Sequence, residues 1–174
     1  MIKLIPLVDF TELQLKQLAN ITNQPEVMKW IGTGKLWSIA KLRESIKYLK
    51  SKPKDFKAWG ILNIDNREIV GYLAITIEGR NSWDIRIFIG SQFQGYGYAT
   101  KAIKLLIGMM KPKTHLISYV KPENQASAKI HQKTGFAYMG RISKYGDEFD
   151  KYMLVIRQST KKPKTKKRHV NTLT

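Results

Sequence analysis

The most constraining feature of the chain is the run Ile89-Gly90-Ser91-Gln92-Phe93-Gln94-Gly95-Tyr96-Gly97-Tyr98-Ala99-Thr100, where an apolar strand stops at a glycine-rich turn that opens into a helix. Gly95 and Gly97 carry no Cβ, and the first-turn N–H groups of a helix have no partner within it, so this turn cradles an anion such as a pyrophosphate. Spacing excludes two phosphate loops. A P-loop needs Gly-x-x-x-x-Gly-Lys-Ser/Thr, which the sequence lacks. A dinucleotide fingerprint needs Gly-x-Gly-x-x-Gly, and Thr100 stands where its third glycine belongs. The pattern that fits is Gln/Arg-x-x-Gly-x-Gly/Ala, met by Gln92 to Gly97 and again by Gln94 to Ala99.

A second pattern follows downstream. Ile117-Ser118-Tyr119-Val120 reads as a short buried strand running into Asn124-Gln125-Ala126-Ser127-Ala128-Lys129-Ile130-His131-Gln132-Lys133-Thr134-Gly135-Phe136. The two patterns, in this order, resemble the signatures of the GNAT superfamily of N-acetyltransferases: the acyl-CoA pyrophosphate loop, then a strand, Asn-x-x-Ser, a short helix and Gly-Phe. The resemblance reaches from Ile2 to Arg157. Within the superfamily, Ile-Gly-x-x-x-x-Gly-x-Gly-Tyr-Ala-Thr is most similar to the branch of ribosomal-protein N-terminal acetyltransferases.

This resemblance implies an acetyl-CoA-dependent enzyme in which an amine attacks the thioester directly. Gln94, Gly95, Tyr96, Gly97, Tyr98, Ala99 and Thr100 stand at the family's cofactor loop. Asn124 and Ser127 stand where the pantetheine arm is met, although Asn124 as a helix N-cap is a full structural explanation by itself. Ile89 is the expected source of a free amide to polarise the thioester carbonyl. Asp84, ten positions before Gln94, stands where the branch often carries a glutamate base. It is one methylene shorter, which suggests action through water. His131 stands at the tyrosine position of the general acid, and the alternative is an exposed helix residue. Tyr98 and Tyr138 read as packing aromatics. At pH 7, deprotonation costs an α-amine about 1 kcal/mol and a lysine about 4.6 kcal/mol, so a weak base suits a protein N-terminus or another amine of low pKa.

The coarse pattern agrees with an α/β fold of one domain, a mixed, mostly antiparallel central sheet flanked by helices. A strand is expected over 3–8, a helix beginning near Leu13 with Thr11 or Asp9 as cap, and a second helix over 38–49. A hairpin turns at Asp65-Asn66, a strand over 84–89 leads into the glycine turn, and a helix over 99–110 stops at Pro112. A closing hairpin surrounds Gly146-Asp147. The segments 30–37 and 78–82 are expected to border the acceptor site.

Composition bounds the rest. At 174 residues, 43% of them hydrophobic, the chain suits one domain with a substantial core. No apolar run approaches the roughly 20 residues of a membrane span. The opening lacks a secretory signal, so an intracellular, cytoplasmic location is expected. With no cysteine there is no disulfide and no thiol nucleophile, and His115, His131 and His169 lack zinc-site spacing, so no metal is expected. The domain is expected over 1–158, with a basic disordered tail over 159–174. Six positive charges fall within Lys161 to Arg168, and removing them from the formal +18 leaves +12. The tail suits a nuclear address or a nucleic-acid or ribosome tether, and equally a solvated end. A second function class therefore stands beside the transferase: a basic nucleic-acid- or ribosome-binding protein on this fold with little catalysis.

Overall fold

A computed structural model describes residues 1–157. The basic tail expected over 159–174 lies outside the described residues. Seven strands form one sheet: β1 (Ile2–Pro6), β2 (Phe56–Asn63), β3 (Glu68–Gly79), β4 (Ser82–Ile89), β5 (His115–Val120), β6 (Ala137–Lys144) and β7 (Asp147–Val155). Their order is β1-β2-β3-β4-β5-β7-β6, and every pair is antiparallel except β4 with β5. This is the mixed, mostly antiparallel sheet expected from the sequence.

The helices are α1 (Glu12–Thr22), α2 (Pro25–Met28), α3 (Ile39–Ser51), α4 (Tyr98–Met109) and α5 (Gln125–Lys133). Local chemistry fixes their starts. Thr11 Oγ1 accepts from the Gln14 amide while the Gln14 side chain accepts from the Thr11 amide, a capping box that satisfies two N–H groups. Ser38 accepts from the Lys41 amide and opens α3 one residue after the chain leaves Trp37. The first strand ends earlier than its apolar run suggests. After Pro6 the chain enters a 3-10 turn over Leu7–Asp9, which buries Leu7 completely next to α3.

Sheet alternation sorts the core into two layers. Ile85 and Ile89 of β4 join Ile103 and Leu106 of α4 and Leu116 of β5 on one face. Phe88, Tyr72 and Ala74 join Leu15 and Leu18 of α1 and Leu42 of α3 on the other. Asp84 and Arg86 share the parity of Phe88 and therefore face the α1 and α3 side. The two faces thus present different chemistry around one strand, β4.

Candidate active site

The glycine turn folds as its spacing predicts. Gly95 has φ +85° and Gly97 φ +76°, the left-handed region that a side chain rarely adopts, and a Cβ at either position would meet nothing within 4 Å. The space beside them is open to a ligand. Gly97 is the N-cap of α4 and supplies no side-chain bond to it. The six main-chain amides from Gly95 to Thr100 have no acceptor among the described residues, and the first amide of the helix to find one is Lys101, bonded to the Gly97 carbonyl at 3.1 Å. Six consecutive donors ending in the positive end of a helix dipole suit a pyrophosphate. Gln94 contributes differently: its Nε2 donates to the Ile89 carbonyl at 3.2 Å and ties the turn to the strand. Tyr98 is the first residue of α4. Its hydroxyl accepts from Asn63 Nδ2 at 3.1 Å, and its ring stacks on Tyr96 at 5.9 Å.

Strand β4 delivers free main-chain groups to the same place. Gly90 N–H donates to the Val70 carbonyl at 2.9 Å, so by alternation Phe88, Arg86 and Asp84 direct their main-chain groups at β3, and Ile87 and Ile89 direct theirs away from it. On that other side β5 pairs with β4 only at Ser82–His115, Trp83–Leu116 and Asp84–Ile117. Beyond Asp84 the two strands diverge into a fork. The amides of Ile87 and Ile89 point into it. The sequence pointed to Ile89 and missed Ile87, whose carbonyl side lacks the Gln94 bond and whose amide lies nearer Asp84.

Asp84 sits at the root of the fork with its side chain 15% exposed. Burial raises its pKa from 3.8 to about 6, against the opposing pull of Arg86, whose Nη2 lies 3.6 Å from Asp84 Oδ2. Lys144 also lowers it and Glu78 raises it. A carboxylate with this pKa is largely ionised at pH 7 yet basic enough to take a proton. Around it stand Glu78 from β3, Tyr119 from β5 and Lys144 from β6. The Tyr119 hydroxyl donates to Glu78 Oε1, and Lys144 Nζ lies 3.2 Å from the same oxygen. Burial and the Glu78 carboxylate push the Tyr119 phenol up, so it stays protonated. Trp37 packs edge-on against Tyr72 and Phe88, each at 5.7 Å, on this same face. The segments 30–37 and 78–82 thus both contribute a residue to the face that carries Asp84.

Helix α5 supplies no group to that cluster. Asn124 accepts from the Ser127 amide at 3.1 Å and caps the helix. His131 is 1% exposed, which overturns its reading as an exposed helix residue. Its ring stands edge-on to Phe136 at 5.1 Å and stacks on Tyr152 at 5.9 Å. Nδ1 lies 2.8 Å from the Ser127 carbonyl, so it carries the proton, and Nε2 is buried without a partner. Burial lowers the His131 pKa and holds the ring neutral. Tyr138, expected to pack, is 53% exposed, although its ring lies 5.6 Å from Tyr152 and its hydroxyl donates to Asp150. Among the described residues, no three His, Cys, Asp or Glu side chains gather as metal ligands, and no helix is long and apolar enough to cross a membrane.

Glu78, Tyr119 and Lys144 are the polar groups of this face that sequence reading missed. They lie 41 and 66 positions apart along the chain, and no local pattern joins them.

The sequence matches none of the curated proteins. Among solved structures, a ribosomal-protein α-N-acetyltransferase in complex with coenzyme A superposes with TM-score 0.75 at 18% identity, covering 89% of this chain and 94% of the other. A ribosomal-protein-alanine acetyltransferase from Vibrio fischeri gives 0.73 at 17% identity, with 89% and 92% covered. A spermidine N-acetyltransferase from Vibrio cholerae, in complex with CoA and spermine, gives 0.72 at 14% identity, with 89% and 95% covered. These likenesses show a shared fold. The sequence itself matches the acetyltransferase (GNAT) domain over residues 5–137, from the first strand through the glycine turn to the start of β6. By that match the chain belongs to the GNAT acetyltransferase family.

Proposed function

We propose that the protein transfers an acetyl group from acetyl-CoA directly to a primary amine of low pKa, such as a protein amino terminus or a small amine. The observation that carries this reading is the run of six unpartnered amides, Gly95 to Thr100, opening beside a fork whose root holds Asp84. The amides bind the donor's pyrophosphate. Residues at the fork hold the arm, with the Ile87 or Ile89 amide directed at the thioester oxygen, where it stabilises the charge that develops as the carbonyl becomes tetrahedral. Asn124 and Ser127 shape the neighbouring wall through the capped start of α5.

Asp84 takes a proton from the acceptor ammonium, directly or through one water, and so supplies the neutral nucleophile. Three strand rises of about 3.3 Å take the chain from Asp84 to Ile87, about 10 Å, which favours the water. The amine nitrogen bonds to the carbonyl carbon, the tetrahedral adduct collapses, and the carbon–sulfur bond breaks. The leaving thiolate takes the second proton of the former amine. His131 has no proton on Nε2 to donate, and burial opposes placing one there, so we assign it to positioning α5 rather than to acid catalysis.

Calorimetric titration of acetyl-CoA tests the donor site. The wild type binds, and Gly97→Glu, which puts a Cβ at φ +76° and a carboxylate among the phosphate's donors, weakens binding by about a hundredfold. Absence of binding by the wild type overturns the transferase reading.

A further inference from the structure

Lys144 occupies an unusual position. Its ammonium lies 3.6 Å from the ring centroid of Tyr119 and 5.3 Å from that of Tyr145, and 3.2 Å from Glu78 Oε1. Two aromatic faces and one carboxylate around a cation make a cage for an alkylammonium group. Two of the walls are fixed independently of the occupant. Tyr119 donates its hydroxyl to the same Glu78 oxygen, which sets both the carboxylate and the ring from neighbouring parts of the sheet, β3 and β5.

The third wall is held at a conformational cost. Tyr145 and Gly146 form the tip of the β6–β7 hairpin, with φ +57° and +77°. Both central positions of such a tight turn call for positive φ, which asparagine or aspartate followed by glycine ordinarily supplies. Tyrosine there stands in place of the usual asparagine or aspartate at a conformational cost. Its side chain is 90% exposed, so packing does not account for it.

The occupant itself is replaceable. Lys144 is the last residue of an edge strand, on a flexible four-carbon stem whose side chain still reaches solvent, so it can swing out while a second ammonium takes its place beside Glu78. The cage adjoins Asp84, to which Lys144, Glu78 and Tyr119 are all electrostatically coupled.

We propose that Glu78, Tyr119 and Tyr145 form a subsite for an ammonium group that the acceptor carries in addition to the amine being acetylated, and that Lys144 holds this subsite until the acceptor displaces it. The inference rests on the assignment of Asp84 as the base. It narrows the acceptor class to amines with a second cationic centre, such as a diamine or an amino terminus close to a lysine side chain. The +12 of the chain outside the basic tail works against acceptors of higher charge.

The test titrates 1,5-diaminopentane into the full chain by calorimetry. Lys144→Met removes the resident ammonium and tightens diamine binding about tenfold over wild type, and adding Glu78→Gln to that variant removes the gain. Tyr145→Ala in the Lys144→Met background removes part of it. A Lys144→Met protein that binds the diamine no better than wild type, or a gain that survives Glu78→Gln, overturns the cage. Acetyl-CoA titrated into the same samples reports on the donor site separately. Intact donor binding without the diamine gain sinks the cage alone, and the gain without donor binding sinks the transferase reading alone.

Discussion

The two ends of the proposed reaction are built from different materials. The donor side is main chain: six amides from consecutive residues, and the amides of Ile87 and Ile89, with side chains acting only to tie the turn down. The acceptor side is side chain: Asp84, Arg86, Glu78, Tyr119 and Lys144, contributed by four strands. A main-chain site binds whatever carries the right charge and shape, and it is damaged by adding a Cβ rather than by trimming one. A side-chain site can be retuned residue by residue. One fold can therefore hold a constant donor while its acceptor changes.

The sharpest way to separate the two sides is Asp84→Asn. Loss of the base lowers kcat by about a hundredfold to ten-thousandfold, while the affinity for acetyl-CoA stays within a factor of two of wild type. The same variant gains stability. Because burial raises the Asp84 pKa to about 6 in the folded state, against about 3.9 unfolded, the folded state binds more protons between pH 4 and 6 and stability falls as pH rises through that window. At pH 7 the buried charge costs about 3 kcal/mol, which the neutral amide avoids. A thermal melt at pH 7 that shows Asp84→Asn less stable than wild type would break the assignment of Asp84 as a carboxylate ionised at a desolvation cost.

A smaller effect tests whether the acceptor side titrates as one unit. The acid limb of kcat/KM against pH falls near 6 and moves in opposite directions in two variants: down in Glu78→Gln, which removes a charge that raises the Asp84 pKa, and up in Lys144→Met, which removes one that lowers it. Shifts of the same sign, or a limb that ignores both changes, would mean that Asp84 is not the titrating base. The smallest effect concerns His131. Its pKa is lowered on folding, so the unfolded chain binds the proton first and stability is lost as pH falls below about 6.5. His131→Phe flattens that loss in pH-dependent melts and leaves kcat within a few-fold of wild type. A collapse of kcat in a well-folded His131→Phe protein would restore the imidazole to the chemistry.

The same division of materials explains what was legible in the sequence. Glycine spacing encodes a main-chain site directly, because positive φ and an absent Cβ are local requirements, and so Gly95 to Thr100 could be read before any fold was known. Thr11 and Asn124 were legible as caps for the same reason, whereas Ser38, read as the first residue of its helix, is its cap. Asp84 was found through its offset from the glycine turn. Its environment was not, since Tyr119 and Lys144 meet Glu78 only because β3, β5 and β6 are brought together by the sheet order. Burial of His131 was equally hidden: Phe136 is only five residues on, but Tyr152 of β7 stacks on the ring only because the sheet brings that strand under the short helix. The early end of β1 and the single turn of α2 fall below the length at which apolar periodicity speaks.

The divergence of β4 from β5 has a mechanical consequence. The sheet is two plates, β1 to β4 and β5-β7-β6, sewn together by a seam of three residue pairs. Asp84 and Glu78 ride on the first plate, Tyr119, Lys144 and Tyr145 on the second. Anything that wedges the fork wider rotates one plate against the other about that seam and changes the spacing of the acceptor groups across it. On the proposed reading, a donor seated in the fork bears directly on that seam, so donor and acceptor groups share one short hinge line of the sheet.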